Sequence, residues 1–178
     1  MKKLITMLCL MTALVGSSYA GSSDYYKTKT SNKNIKFEAV TPFYRDREVN
    51  VAVFGGRQVT HGDSWAVGVD GKYFFNRYFG LGANGYFLNA NKATGSMMAT
   101  ATARYPIGQS RFAPYAFVGG GGIGQGSSSI HAAAQTGAGL EFRVTPNVGI
   151  MSDYSYTFID GNNTRNFGMV RTGLNFAF

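Results

Sequence analysis

Polar and apolar residues alternate along most of this chain. From about residue 47 to residue 178, stretches of roughly ten residues place apolar side chains at every second position, with small or polar side chains between them. The first stretch alternates Val49, Val51 and Val53 with Glu48, Asn50 and Ala52. A period of two residues is typical of a β-strand whose two faces meet different surroundings.

Eight such stretches follow one another, and none of the segments between them has a helical period. The breaks lie at residues 61–63, 76–77, 91–95, 106–110, 127–129, 145–147 and 160–165, and they contain the Gly, Pro, Asn, Asp and Ser residues expected in turns. An even number of alternating strands joined by turns predicts an all-β, eight-stranded antiparallel up-and-down barrel.

Aromatic residues indicate which medium meets the apolar face. One group falls beside one set of turns: Tyr73, Phe75, Tyr78, Phe79, Tyr105, Phe112, Tyr115, Phe142, Phe176 and Phe178. A second group lies toward the other set: Trp65, Phe87, Tyr156 and Phe158. Two aromatic rings are typical of the two interfaces of a bilayer, so the barrel is predicted to be transmembrane. Aromatic packing inside a soluble barrel is the alternative.

Charged residues occupy the opposite face of the strands. They are four acids and four bases: Glu48, Asp70, Glu141 and Asp153, with Lys72, Arg104, Arg143 and Arg171. A basic side chain facing lipid at the bilayer midplane costs about 2–4 kcal/mol. The interior of an eight-stranded barrel is just wide enough for side chains to fill it. We therefore predict that these eight residues form a charge-paired network inside the barrel.

The N-terminal residues have the pattern of a secretory signal peptide. Lys2 and Lys3 precede an apolar run over residues 4–15, and Ser18-Tyr19-Ala20 is a cleavage-site pattern, so residues 1–20 are predicted to be removed on export. The only cysteine, Cys9, lies in this run, so no disulfide or thiol chemistry is expected. Residues 21–46 are polar and are predicted to be a loose periplasmic segment, and residues 47–178 are predicted to be the barrel.

The net charge does not indicate nucleic-acid binding. The chain has 17 Lys and Arg and 9 Asp and Glu, so removal of Lys2 and Lys3 leaves 15 − 9 = +6. The basic residues are scattered and the chain is predicted to be exported, which argues against a nucleic-acid partner. Some of them are expected to meet lipid phosphates.

Three segments of the chain carry a resemblance to a known family. They are the Phe74–Leu81 hairpin, the Ala113–Gly120 strand and the segment Thr136–Asn147, and the chain ends on Phe178 in an alternating strand. In these features residues 47–178 resemble the small eight-stranded outer-membrane barrels, which include the OmpA transmembrane domain, OmpX and the opacity-protein-like group. The short candidate external loops, at about 60–63, 90–95, 125–130 and 160–165, depart from members that bind host receptors.

The resemblance implies a location and a set of partners. It places the chain in the outer membrane, as a monomer in contact with lipid and lipopolysaccharide. It also implies insertion by the outer-membrane assembly machinery, with Phe178 as the recognised terminal residue. The implied role is structural or surface-interacting, in envelope integrity or adhesion. A narrow pore or small-solute transporter is the alternative function.

An enzyme that modifies lipid A is a further alternative. Its candidate nucleophile sets are His61, Asp63 and Ser64 in one loop, and His131 after Ser127, Ser128 and Ser129 in another. Ser and Asp are ordinary turn residues, however, so the expectation is that the protein has no catalytic site.

One glycine-rich stretch matches a cofactor-binding motif. Gly119, Gly121 and Gly124 fit the spacing G-x-G-x-x-G of dinucleotide-binding turns. Such a turn needs a helix that starts at the third glycine, and Gln-Gly-Ser-Ser-Ser follows instead. We expect these glycines to lie in a strand, and we expect no cofactor and no metal.

Overall fold

Eight β-strands follow one another in the computed structural model, which describes residues 42–60, 64–89, 93–125, 129–161 and 165–178. The strands are β1 Glu48–Gln58, β2 Trp65–Phe74, β3 Phe79–Asn89, β4 Ala93–Arg104, β5 Phe112–Gln125, β6 Ser129–Arg143, β7 Val148–Ile159 and β8 Phe167–Ala177. The predicted signal peptide and most of the predicted polar segment, residues 1–41, lie outside the described residues.

Each strand pairs antiparallel with the next strand in the chain, and β1 pairs with β8, so the sheet closes on itself. The predicted fold class, an up-and-down eight-stranded barrel, is confirmed. Two hydrogen bonds join the ends of the chain at this seam: Val49 N donates to Phe178 O at 3.2 Å, and Phe178 N donates to Val49 O at 2.9 Å. In the part of the chain described here, no helix has the length and apolar character needed to cross a membrane.

The alternation of the sequence becomes an inner and an outer face. Outward side chains such as Val53 and Leu81 are 56% and 59% exposed, whereas inward ones such as Phe54 and Arg143 are nearly fully buried. The apolar faces predicted for the strands all point outward, as a barrel in a bilayer requires.

The two ends of the barrel differ in what they carry. At the terminal end β1 begins and β8 ends; at the far end β1, β3, β5 and β7 end and β2, β4, β6 and β8 begin. Two of the far-end connections are shorter than the sequence predicted. β4 begins already at Ala93 and β6 at Ser129, so residues 93–95 of the expected loop 90–95 and residues 125, 129 and 130 of the expected loop 125–130 lie in strands. Gly95 and Ser129 do not continue the apolar alternation on which those boundaries rested.

The glycines of the cofactor-like motif lie in β5, as expected. A Cβ at Gly121 would overlap the backbone of Met97 and Met98 on the neighbouring strand. Close packing against β4 therefore explains this glycine without any ligand.

Candidate functional site: the interior of the barrel

Four charged residues form a buried network at the terminal end. Glu48 begins β1, whereas Arg104 and Arg143 end β4 and β6, so strand ends bring them together with Glu141. Arg104 Nη1 lies 3.1 Å from Glu48 Oε1 and 3.3 Å from Glu141 Oε2. Arg143 Nη2 lies 2.7 Å from Glu48 Oε1, and Arg143 Nε donates to Glu141 Oε1. Two carboxylates and two guanidinium groups neutralise one another.

Neutral groups add hydrogen bonds to this network, although Arg104 Nη2 has no partner among the described residues. Asn175 Nδ2 donates to Glu141 Oε1 at 2.7 Å, and Arg143 Nη1 donates to the carbonyl of Pro146 at 2.9 Å. Arg104 Nε donates to the carbonyl of Arg77 at 3.3 Å. Buried charges that keep such partners are far less costly than unpaired ones.

Tyr44 closes the terminal end. Its ring lies against both guanidinium groups, 4.8 Å from Arg104 Cζ and 4.9 Å from Arg143 Cζ, and the residue is 6% exposed. Its hydroxyl donates to the carbonyls of Arg111, at 2.8 Å, and Glu141, at 3.2 Å. Burial, and next the Glu141 carboxylate, raise the pKa of this hydroxyl, which is therefore neutral at physiological pH. Residues 42–46 were assigned to the loose segment, and sequence reasoning missed this contact.

A second buried pair lies toward the middle of the barrel. Asp153 on β7 and Arg171 on β8 are register partners. Arg171 Nε donates to Asp153 Oδ1 at 2.7 Å and Nη2 donates to Oδ2 at 3.0 Å. The guanidinium lies between the rings of Phe54 and Phe117, at 4.9 and 4.8 Å.

Tyr115 joins this pair, which corrects the sequence prediction. Tyr115 was placed in the outer aromatic ring, but it points inward and its hydroxyl donates to Asp153 Oδ2 at 2.6 Å. In β5 the even-numbered positions Phe112 and Pro114 face outward and are exposed, so Tyr115 necessarily faces inward.

The remaining predicted charges form a third pair. Lys72 Nζ lies 2.8 Å from Asp70 Oδ2, and it also lies 5.7 Å from the centre of the Tyr115 ring. The structure thus places all eight predicted charged residues inside the barrel, in three groups: Glu48, Glu141, Arg104 and Arg143; Asp153 and Arg171; Asp70 and Lys72.

The interior carries a buried apolar cluster toward the far end, with hydroxyl residues such as Ser96 and Thr157 beside it, and sequence reasoning did not predict this cluster. The buried apolar cluster comprises Ala52, Phe54, Ala66, Tyr86, Leu88, Met98, Ile123, Ala133, Met151, Ile159, Phe167 and Met169. The signal was available in the sequence, because Tyr86 and Leu88 have the parity of the polar Asn84 and the opposite parity to the outward Leu81.

One cavity among the polar side chains of the interior is small. A cavity of about 20 Å³ lies among Asn50, Asp70, Lys72, Thr102 and Tyr115. A water molecule needs about 10–15 Å³ by this measure, so the cavity accommodates roughly one. Among the described residues no three His, Cys, Asp or Glu side chains come together as metal ligands.

The candidate nucleophile sets are only partly described. Ser64 precedes β2, where its carbonyl accepts a hydrogen bond from Gln58 N at 2.8 Å, and the backbone of His131 pairs with Ile123. The side chain of Ser129 and the residues His61, Asp63, Ser127 and Ser128 lie outside the description.

Comparison with known proteins identifies the family. The model of the outer membrane protein beta-barrel domain matches residues 6–178, almost the whole chain. This chain belongs to the outer-membrane β-barrel domain family. The family prediction made from the three segments and the strand pattern is confirmed. No curated protein matches the chain.

Solved structures of small outer-membrane barrels share this fold. The N-terminal β-barrel domain of Pseudomonas aeruginosa OprF is 17% identical, with a TM-score of 0.60, over 75% of this chain and 99% of that one. Ail, the attachment invasion locus protein of Yersinia pestis, is 17% identical with a TM-score of 0.54, over 75% of this chain and 99% of that one. A transmembrane β-barrel designed de novo is 18% identical with a TM-score of 0.55, over 75% and 98%. Because a designed barrel matches about as well as natural ones, this similarity shows a shared fold and does not indicate a particular activity.

Proposed function

We propose that this protein is a closed structural barrel of the outer membrane, which contributes to envelope integrity and offers its far end for surface contacts, without a pore or a catalytic reaction. The observation that carries the proposal is that the interior is filled from end to end. Eight charged residues pair with one another at the terminal end and in the middle, and buried apolar side chains together with Thr94, Ser96, Ser155 and Thr157 pack the far end.

The two halves of the interior block passage in different ways. At the terminal end an ion would have to displace Tyr44 and separate the pairs of Arg104 and Arg143. Toward the far end Tyr86, Met98, Ile123 and Met169 are each at most 2% exposed, and Ser96 and Ser155, the register partners of Tyr86 and Met169, are buried beside them, so close packing rather than complete apolarity opposes passage. A narrow constriction lined mainly by apolar groups opposes ions even where water enters.

The placement in the cell follows from the same proposal. We assign residues 1–20 to a cleaved signal peptide, the terminal end to the periplasm and the far end to the cell exterior. The partners are then membrane lipid and lipopolysaccharide at the outer face of the strands, and the assembly machinery during insertion. We assign a monomeric state, because a closed barrel has no open sheet edge at which a second copy could pair.

Conductance in planar lipid bilayers tests the proposal. The wild-type protein should give at most small, rare openings, and Tyr44→Ala should behave similarly because the far end stays closely packed. A variant that adds Met98→Ser and Met169→Ser to Tyr44→Ala should conduct, because it gives water polar partners along the axis. Steady current through the wild-type barrel would instead support the pore. Each sample is first checked for the heat-modifiable gel shift of a folded barrel.

A further inference from the structure

Four charged residues line the small cavity inside the barrel. Asp70 and Lys72 line it from β2, Arg104 lines it from β4 and Glu141 lines it from β6. Lys72 Nζ lies 2.8 Å from Asp70 Oδ2, and Arg104 Nη1 lies 3.3 Å from Glu141 Oε2. The cavity therefore lies between the Asp70–Lys72 pair and the four-charge network of the terminal end, and the charges of its wall cancel.

Three buried polar atoms of the cavity-lining residues have no hydrogen-bond partner among the described residues. They are Asp70 Oδ1, Thr102 Oγ1 and Arg104 Nη2, on residues that are 3%, 4% and 2% exposed. Asp70 Oδ2 and Arg104 Nη1 are paired, so the carboxylate and the guanidinium each keep one unpartnered atom. Buried polar atoms of folded proteins nearly always have a partner in the protein or in an ordered water. Three unpartnered atoms around one cavity therefore indicate a bound group.

The three atoms determine the chemistry of that group. Asp70 Oδ1 needs a donor, Arg104 Nη2 needs an acceptor, and the Thr102 hydroxyl can donate or accept. A metal cation cannot accept from Arg104 and meets like charge on Lys72 and Arg104. A chloride ion cannot donate to Asp70 and meets like charge on Asp70 and Glu141. A water molecule is neutral and both donates and accepts, and the volume of about 20 Å³ holds one.

We propose that this cavity binds one structural water molecule, which accepts a hydrogen bond from Arg104 Nη2, donates one to Asp70 Oδ1 and has Thr102 Oγ1 as its third partner. Three hydrogen bonds are typical of a buried water. The water joins the Asp70–Lys72 pair to the network of Glu48, Glu141, Arg104 and Arg143, so 2 + 4 = 6 of the interior charges belong to one hydrogen-bonded system.

Thr100 provides a matched control for Thr102. Both threonines lie on β4 with inward parity, both are 4% exposed, and both hydroxyls have no partner among the described residues. Thr102 lines the cavity, whereas the lining of this cavity does not include Thr100. The two positions therefore differ in access to the proposed water.

The first test compares Thr102→Val with Thr100→Val, since valine replaces the hydroxyl by a methyl group of nearly the same shape. Thr102→Val should raise the unfolding equilibrium constant about fivefold more than Thr100→Val, which corresponds to the loss of one net hydrogen bond. The measurement is urea unfolding in lipid vesicles, followed by the fluorescence of Trp65, the only tryptophan. Equal unfolding constants for the two variants would overturn the proposal.

The second test asks whether the water connects Thr102 to Asp70. Asp70 Oδ1 and Thr102 Oγ1 have no direct hydrogen bond, so coupling between them requires a group that touches both. In a double-mutant cycle, Asp70→Asn and Thr102→Val should deviate from additivity by about threefold in the unfolding constant, whereas Asp70→Asn and Thr100→Val should be additive. Additivity of both pairs would contradict a bridge.

The third test counts the water directly. Magnetic relaxation dispersion of the water oxygen detects molecules that stay inside a protein much longer than those on its surface. Thr102→Ile adds a carbon atom that fills the cavity, so it should hold one long-lived water fewer than wild type, whereas Thr100→Ile should hold as many as wild type. Each variant is first checked for the heat-modifiable gel shift of a folded barrel, and if Thr102→Ile does not fold, the first two tests decide.

Two further results would overturn the proposal. One is an equal number of long-lived waters in wild type and folded Thr102→Ile. The other is a difference between Thr102→Val and Thr100→Val that follows the concentration of sodium or chloride, which would assign the cavity to an ion. None of these measurements depends on conductance or on which end of the barrel faces the cell exterior, so a failure of the proposed function would leave their outcomes unchanged.

Discussion

Arg171 and Asp153 face each other across β7 and β8 and form a two-point ion pair inside the barrel, with N–O distances of 2.7 and 3.0 Å. The arrangement uses the planar geometry of the guanidinium group, which matches a carboxylate at two points. It leaves both faces of that group free to lie against Phe54 and Phe117.

Arg171→Ala should therefore destabilise the barrel strongly, because Asp153 would remain buried without its main partner. The expected loss of unfolding free energy is about 3–5 kcal/mol, and water that enters the interior would make this loss smaller. The measurement is the urea midpoint, followed by Trp65 fluorescence, with the exposed Arg165→Ala as the matched control. Glu141→Ala should act in the same direction. If Arg171→Ala unfolds at the midpoint of the control, the pair contributes no stability.

The Tyr44 plug gives a prediction at neutral pH. Tyr44→Phe removes the two hydrogen bonds to carbonyls but keeps the ring between the guanidinium groups, so it should cost about 1 kcal/mol. Tyr44→Ala removes the ring as well and should cost about 3–5 kcal/mol. Phe43→Ala, which changes a less buried neighbour, serves as the control. Equal midpoints for Tyr44→Ala and Phe43→Ala would mean that the plug is not held in the barrel.

The same residue makes stability depend on alkaline pH. The pKa of Tyr44 is higher in the folded protein than the value of about 10 in the unfolded chain, so the unfolded state releases this proton first. The contribution of the neutral Tyr44 hydroxyl to folding stability is complete below about pH 10 and is lost as the pH rises further. The midpoint of wild type should fall more steeply above pH 10 than that of Tyr44→Phe. If the midpoints of the two proteins fall in parallel as the pH rises, Tyr44 is not the source of the alkaline loss of stability.

Phe178 is expected to be required for assembly. Deleting it removes both hydrogen bonds to Val49 and the terminal aromatic ring, whereas Phe178→Ala removes only the ring. The deletion should leave degraded or periplasmic material in place of the heat-modifiable band on unboiled gels. If Phe178→Ala fails equally, the ring is the feature that assembly recognises. Normal accumulation of the deletion would rule out a role for this residue.

The orientation in the membrane can be checked in whole cells. A cysteine placed at Ser128 or Asn163, in far-end connections, should react with an impermeant maleimide. One placed at Asn76, in a terminal-end turn, should react only after the outer membrane is opened. The reverse pattern would place the terminal end outside.

Sequence alternation was enough to predict the strands and their two faces. With a period of two, the apolar side chains of a strand can face only inward or outward. It misplaced Tyr115 because aromatic side chains suit both the bilayer interface and a packed interior, and only the parity of the exposed Phe112 and Pro114 separates the two. Tyr44 could not be predicted, since a single aromatic residue in a polar segment has no periodicity. Its position depends on Arg104 and Arg143, which are distant in the sequence and converge only when the barrel closes.

The seam between Val49 and Phe178 has a consequence for how the molecule can be divided. The closing strands are those most distant in sequence, so any chain that lacks one strand has two unpaired edges, which hydrocarbon does not tolerate. Loss of a strand should therefore abolish insertion rather than yield a smaller barrel. A cut in the terminal-end connection between β4 and β5 breaks no ladder, however, so the two resulting fragments of four strands each have matching edges and should complement one another into a barrel when they are produced together.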